Sequence, residues 1–175
     1  ALAELLTELR LYAPGRPVHL FTHSMGARVA MSALSRAQQG DVKSAILMAP
    51  AEFTGTAEQV LAMPAGRAVE VLQVSSGENA LFDALVQGLI SPALRGDVPM
   101  GRRVADSDNL MALRLDAPRA LIALRGLGFD VAAPDRRVCH WSPYLRQGLF
   151  PLYRAFFSGD VSLRHLRPLL PNLAP

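Results

Sequence analysis

The chain of 175 residues is 50% hydrophobic and 19% charged with a net charge of +3, which suits one domain with a buried core rather than two. No apolar run reaches the roughly 18 residues that cross a bilayer, and the basic residues, all arginine except Lys43, make no stripe beside stacking aromatics. These features argue against a transmembrane segment and against a nucleic-acid partner, while the single Cys139 excludes an intrachain disulfide framework and fits a reducing, cytoplasmic compartment.

Leu2, Leu5, Leu6 and Leu9 recur at helical spacing and predict a helix that ends before the Pro14-Gly15 turn. Residues 18–21 are a short apolar run, and Thr22-His23-Ser24-Met25-Gly26 separates them from a helix-like run over 27–38. A serine on a sharp strand-to-helix turn has its hydroxyl pushed clear of the backbone, with the following amide aimed at the same space. Such a turn needs small residues two before and two after the serine; Gly26 meets that need, and Thr22 meets it in part. The competing reading is that Ser24 only caps the helix that follows.

Residues 44–49 are continuously apolar, as expected of a strand buried on both faces of a parallel sheet. A short helix is expected around 57–62, broken by Pro64 and Gly66, and leaves no room for a large cap domain. Residues 69–74 predict a third strand and 79–89 the next helix. Strands alternating with helices predict an α/β fold, a parallel sheet flanked by helices.

The stretch 91–116, with Pro92, Gly96, Pro99 and Gly101, reads as irregular, and 119–127 as a buried helix or strand. Residues 131–138 are the expected last extended piece, although Pro134 and Asp135-Arg136-Arg137 suit a central strand poorly. A helical pattern over 142–157 is interrupted by Gly148 and Pro151, and Pro168 and Pro171 are expected to deny the end regular structure. The expected organisation is one domain over 1–160 and a proline-rich tail over 161–175.

On the residues around Ser24 the chain resembles the α/β-hydrolase superfamily, particularly its lipase-like and esterase-like members, in which His-Ser-Met-Gly often follows a small residue. The resemblance implies a three-layer sandwich with Ser24 as nucleophile, the Met25 amide as one oxyanion-hole donor and His23 as a pocket-shaping neighbour. It implies a general base in the late loop Cys139-His140-Trp141-Ser142, hence His140 rather than His19, His23 or His165. It also implies an acid in the loop after the third strand, where Glu78-Asn79-Ala80-Leu81 is similar to the Asp-bearing pattern of several hydrolase families. Glu78 is therefore the expected acid, with Asp130 and Asp135 as late alternatives and Asp83 as a rival that is expected to point away inside the following helix; an acid at a helix start also has a purely structural use.

Such a domain places further strands and a second oxyanion donor before the elbow, whereas residues 1–17 hold one helical segment. The chain is thus expected to be the C-terminal portion of a longer hydrolase, or a shortened homologue, and to leave an apolar strand edge unpaired. The expected function is cleavage of a small-molecule carboxylic ester or thioester, with room for a hydrophobic group, by a Ser24, His140 and Glu78 triad without cofactor or metal. The alternative is a hydrolase-like binding or scaffold protein without turnover. Residues 91–116 and 142–157 are expected to wall the substrate pocket.

Overall fold

The computed structural model describes residues 1–16 and 18–170. Four parallel strands, β1 (Val18–His23), β2 (Val42–Met48), β3 (Glu70–Ser75) and β4 (Leu110–Arg114), lie in the order β1-β2-β3-β4. The helices are α1 (Leu2–Tyr12), α2 (Gly26–Leu34), α3 (Thr54–Ala62), α4 (Pro64–Arg67), α5 (Ala80–Leu89), α6 (Pro118–Gly126), α7 (Ser142–Leu145), α8 (Leu149–Ser158) and α9 (Leu163–Leu166).

Strand alternation sorts the core into two layers. Ala45 and Leu47 of β2, Val71 of β3 and Leu110 of β4 face Leu6 of α1, Ala27, Ala30, Met31 and Leu34 of α2, and Ala57, Val60 and Leu61 of α3. Their neighbours Ile46, Met48, Leu72, Val74, Met111 and Leu113 face Leu124 of α6, Leu152, Tyr153 and Phe156 of α8, and Leu166 of α9. Burial on both faces is why Ala45 to Met48 of β2 reads as unbroken hydrophobicity in the sequence. The expected sandwich of helices on a parallel sheet is what the chain adopts.

Several boundaries differ from expectation, each for a physical reason. The fourth strand lies within the stretch expected to be irregular: Leu110-Met-Ala-Leu-Arg has no β-branched residue and is held by pairing with β3, from Val71↔Leu110 to Ser75↔Arg114. Residues 131–138 form no strand; Pro134 and the charged residues beside it are exposed, and the segment joins α6 to α7. Residues 119–127 resolve as helix α6. Gly148, at φ +89, divides α7 from α8, and a Cβ there would fall 2.1 Å from the Asp130 carbonyl oxygen. Pro151 is tolerated because it lies in the first turn of α8.

Residues 161–170 are more ordered than the proline at 168 suggests. A capping box of Ser162 and His165 starts α9, and Val161, Leu163, Leu166 and Leu170 join the core. Pro171 and the residues after it lie outside the described residues. The apolar face of α8 likewise packs into the core through Leu149, Leu152, Tyr153 and Phe156, and is not the pocket wall expected of it. Within 91–116, backbone bonds from Thr54 N to Val98 O (2.9 Å) and from Met100 N to Glu52 O (2.9 Å) dock the loop on the start of α3.

The strand carrying the elbow is an end strand of the sheet among the described residues, paired only with β2. Phe21 on it is 40% exposed and meets the rings of Phe150, Tyr153 and Phe157 at 5.4–6.1 Å between centroids. The apolar edge anticipated from the sequence is present, partly covered by α8 aromatics.

Candidate active site

Ser24 follows β1 directly, and its amide donates to the carbonyl of Met48 at 2.9 Å, continuing the register His23↔Met48. Its φ is +55, a left-handed conformation that costs a non-glycine residue roughly 1–2 kcal/mol. Helix α2 begins two residues later. A Cβ on Gly26 would stand 3.3 Å from the Cβ of Thr22, so the close passage of strand and helix that the sequence implies is real. The chain after β2 pins the turn, with Ala51 N donating to Ser24 O at 3.0 Å.

The capping alternative for Ser24 is not taken. The N-cap of α2 is Met25, without a side-chain capping bond, and the Ser24 hydroxyl makes no hydrogen bond among the described residues. The Met25 amide also takes no part in the described backbone bonds. A free hydroxyl and a free amide therefore leave the same turn.

His140 sits between α6 and α7, and its loop is tied to the elbow. His23 Nε2 donates to the His140 carbonyl at 2.9 Å, which fixes the proton on that nitrogen. The His23 ring lies 4.5 Å from the His140 ring and stacks on Trp141 at 4.6 Å and 14°. On its other flank His140 stacks on Phe82 of α5, 4.4 Å away. Cys139 N donates to Glu78 O at 2.9 Å, joining the histidine loop to the loop after β3.

The group at the imidazole Nδ1 is not the residue expected there. Asn79 Oδ1 lies 2.7 Å from His140 Nδ1, while Glu78, one residue earlier, turns away. The Glu78 carboxylate accepts from Ser76 Oγ at 2.9 Å, from Ser142 Oγ and from Arg146 Nη2, the glutamate and arginine side chains each being 5% exposed. The reason is local. Residues 77–79 form a single 3-10 turn, so adjacent side chains leave it in different directions and only one can face His140.

Asp83, expected to point away inside its helix, is instead buried one residue removed from the imidazole. Its Oδ1 accepts from Asn79 Nδ2 at 2.9 Å, across one helical turn. Asp130 pairs with Arg125 at the surface (2.9 Å) and Asp135 with Arg136 (4.0 Å), so neither late carboxylate meets His140. His19 pairs with Ser44 at 2.7 Å, and His165 belongs to the α9 cap. Asn79 and Phe82 contact His140 and carry no expectation from the sequence. The available signal was the spacing of Asn79 and Asp83, four apart at a helix start.

The profile of the family described as serine aminopeptidase, S33, matches residues 2–113, more than half of the chain. The chain belongs to this α/β-hydrolase family. No curated protein and no solved structure matches it. In this S33-family hydrolase the matched region carries Ser24, Glu78, Asn79 and Asp83, and His140 lies beyond it. No helix among the described residues is long and apolar enough to cross a membrane, and no cluster of three metal-ligating side chains occurs among them.

The electrostatics of the cluster around His140 follow from burial. Desolvation, then the neighbouring His23, lowers the His140 pKa from its ordinary 6.5, favouring the neutral imidazole a base must be. Burial pushes the Asp83 carboxyl up to about 6 against the Asn79 hydrogen bond and the attraction of Arg102 and Arg114. For Glu78 burial would act upward, but the Ser142 and Ser76 hydroxyls and the Arg146 guanidinium together hold it below 4.5.

Proposed function

We propose that this S33-family hydrolase cleaves a carboxylic ester or thioester through an acyl-enzyme, with Ser24 as nucleophile, His140 as general base and Asn79, in place of Glu78, orienting the imidazole. The observation that carries the reading is the 2.7 Å contact of His140 Nδ1 with Asn79 Oδ1, on a loop gripped by the residue next to a left-handed serine. An amide oxygen at Nδ1 requires the proton there, so Nε2 holds the lone pair. An asparagine supplies the orientation that a triad carboxylate supplies, without its full charge.

In the first half-reaction His140 Nε2 takes the Ser24 proton as Oγ bonds to the acyl carbon, and the Met25 amide donates to the oxyanion. The bond from acyl carbon to the leaving oxygen or sulfur breaks, and Nε2 returns the proton to it. Water then gives a proton to Nε2 as it attacks the ester of Ser24; the Oγ bond breaks and Ser24 recovers its proton. The products are a carboxylic acid and an alcohol or thiol. Met25 and Trp141, the residues following Ser24 and His140, are 49% and 54% exposed, a pair of apolar surfaces suited to a hydrophobic acyl group.

The family's description as serine aminopeptidases supports a second reading, cleavage of an N-terminal peptide bond by the same residues. Stopped-flow assays on the full-length protein separate the two. A p-nitrophenyl ester is expected to give a burst of one nitrophenolate per chain and an acyl group mapped to Ser24, with an aminoacyl p-nitroanilide turned over far more slowly. Faster anilide cleavage favours the peptidase. No burst and no turnover of either leaves the binding-protein alternative and contradicts the enzyme.

A further inference from the structure

We propose that Asp83 is a positioning residue that locks the Asn79 amide in one of its two orientations and so sets the tautomer of His140. The proposal rests on the Ser24 and His140 reading above and adds a member to it.

An asparagine amide is nearly symmetric in shape and opposite in chemistry at its two ends. With Oδ1 toward His140, the imidazole is protonated on Nδ1 and Nε2 can accept a proton. With the amide flipped, an N–H points at Nδ1, the imidazole carries its proton on Nε2, and that nitrogen is useless as a base. His140 alone does not choose between these, because a neutral imidazole can present either a donor or an acceptor at Nδ1. A carboxylate does choose, since when ionised it only accepts.

Asp83 is placed to make that choice. Its Oδ1 accepts from Asn79 Nδ2 at 2.9 Å, which leaves Oδ1 of the amide facing His140 Nδ1 at 2.7 Å. Asn79 is 2% exposed and Asp83 5%, so water competes little for either end. The carboxylate lies against the backbone of Gly101, where a Cβ would come within 2.3–2.4 Å of its oxygens; any side chain at 101 displaces it. The charged groups facing it are Arg102 and Arg114, both of which favour the ionised, accept-only form. Arg114 is itself shared with Asp116 at 2.9 Å, leaving Asp83 an isolated acceptor and not one half of a closed ion pair.

The test is nitrogen-detected NMR of the histidine side chains in the full-length protein at pH 7.5, alongside ester kinetics. Wild type is expected to show His140 protonated on Nδ1. In Asp83→Asn, where residue 83 can donate as well as accept, an Nε2-protonated population is expected and kcat/KM falls roughly 10- to 100-fold, the factor carried by a hydrogen bond to a charged group. Gly101→Ala, which pushes the carboxylate aside without altering its chemistry, gives the same tautomer shift if Asp83→Asn does not fold. In an Asn79→Ala background, Asp83→Asn has no further effect on rate, an outcome that a merely structural aspartate does not produce. A wild-type His140 protonated on Nε2, or a tautomer unchanged in Asp83→Asn and Gly101→Ala, overturns the lock. Failure of wild type to acylate at Ser24 with the tautomer shift intact overturns the ester-hydrolase reading and leaves the lock standing.

Discussion

Replacing His140 by glutamine is expected to lower kcat/KM for ester hydrolysis by about 10⁴-fold, because a serine hydroxyl without an adjacent base is a poor nucleophile near neutrality. Glutamine keeps hydrogen-bonding capacity, and the protein is expected to fold, since the loop is held by other contacts. Those are the Cys139 amide on Glu78 O and His23 on the carbonyl of residue 140. The residual rate then measures what the Met25 amide and binding supply. The pH profile carries the same assignment. Burial and the charge of His23 lower the His140 pKa below 6.5, so the neutral base persists to lower pH and the acid limb of kcat/KM falls below that value. A limb above pH 6.5 contradicts it, because an imidazole beside an uncompensated carboxylate would titrate high, as in an Asp-based triad.

Replacing Arg146 by methionine is expected to cost about 3 kcal/mol of stability or more, read as a lower urea midpoint, because it strands the Glu78 carboxylate in a site where both partners are 5% exposed. Arg146 also donates to Leu115 O at 2.6 Å and to Ser142 Oγ at 2.6 Å, so one guanidinium links the end of β4, the loop after β3 and the start of α7. Glu78→Gln tests the same role with a smaller change. If Glu78 anchors the loop, this variant loses stability while the His140 tautomer is unchanged; if Glu78 were the orienting acid, the tautomer would change with it. The pH sign follows from the shift. Glu78 is depressed below its unfolded value of 4.5, so its contribution is complete above that pH and is lost as pH falls through the lower folded value. Asp83, raised to about 6, acts oppositely: the folded state gains stability from it as pH falls through that value.

Most of the architecture was legible because both faces of the sheet are buried. Continuous runs such as Ala45-Ile46-Leu47-Met48 follow from two-sided burial, and the glycine at 26 from a helix start so near β1 that a Cβ there would stand 3.3 Å from the Cβ of Thr22. The strand, turn and helix around Ser24 lie where chain order and turn chemistry place them, whereas the packing of His23 on His140 carried no expectation from the sequence. What escaped was set by tertiary contact. Strand β4 has a helix-compatible composition and becomes a strand only beside β3. Glu78 rather than Asn79 is expected beside His140 because charge is visible in a sequence and direction around a 3-10 turn is not. The same turn that aims Asn79 at His140 sends Glu78 to Arg146. Asp83, set aside as a helix residue, reaches the site because four positions along α5 return to the same face.

Activation of the Ser24 hydroxyl by His140 is read out by reacting the full-length protein with a fluorophosphonate probe and mapping the adduct by peptide mass. One adduct per chain is expected on the peptide bearing Ser24, none in Ser24→Ala, and labelling at least about 10³-fold slower in His140→Gln. An unlabelled wild type, or labelling of Ser24 at the same rate in His140→Gln, would contradict it.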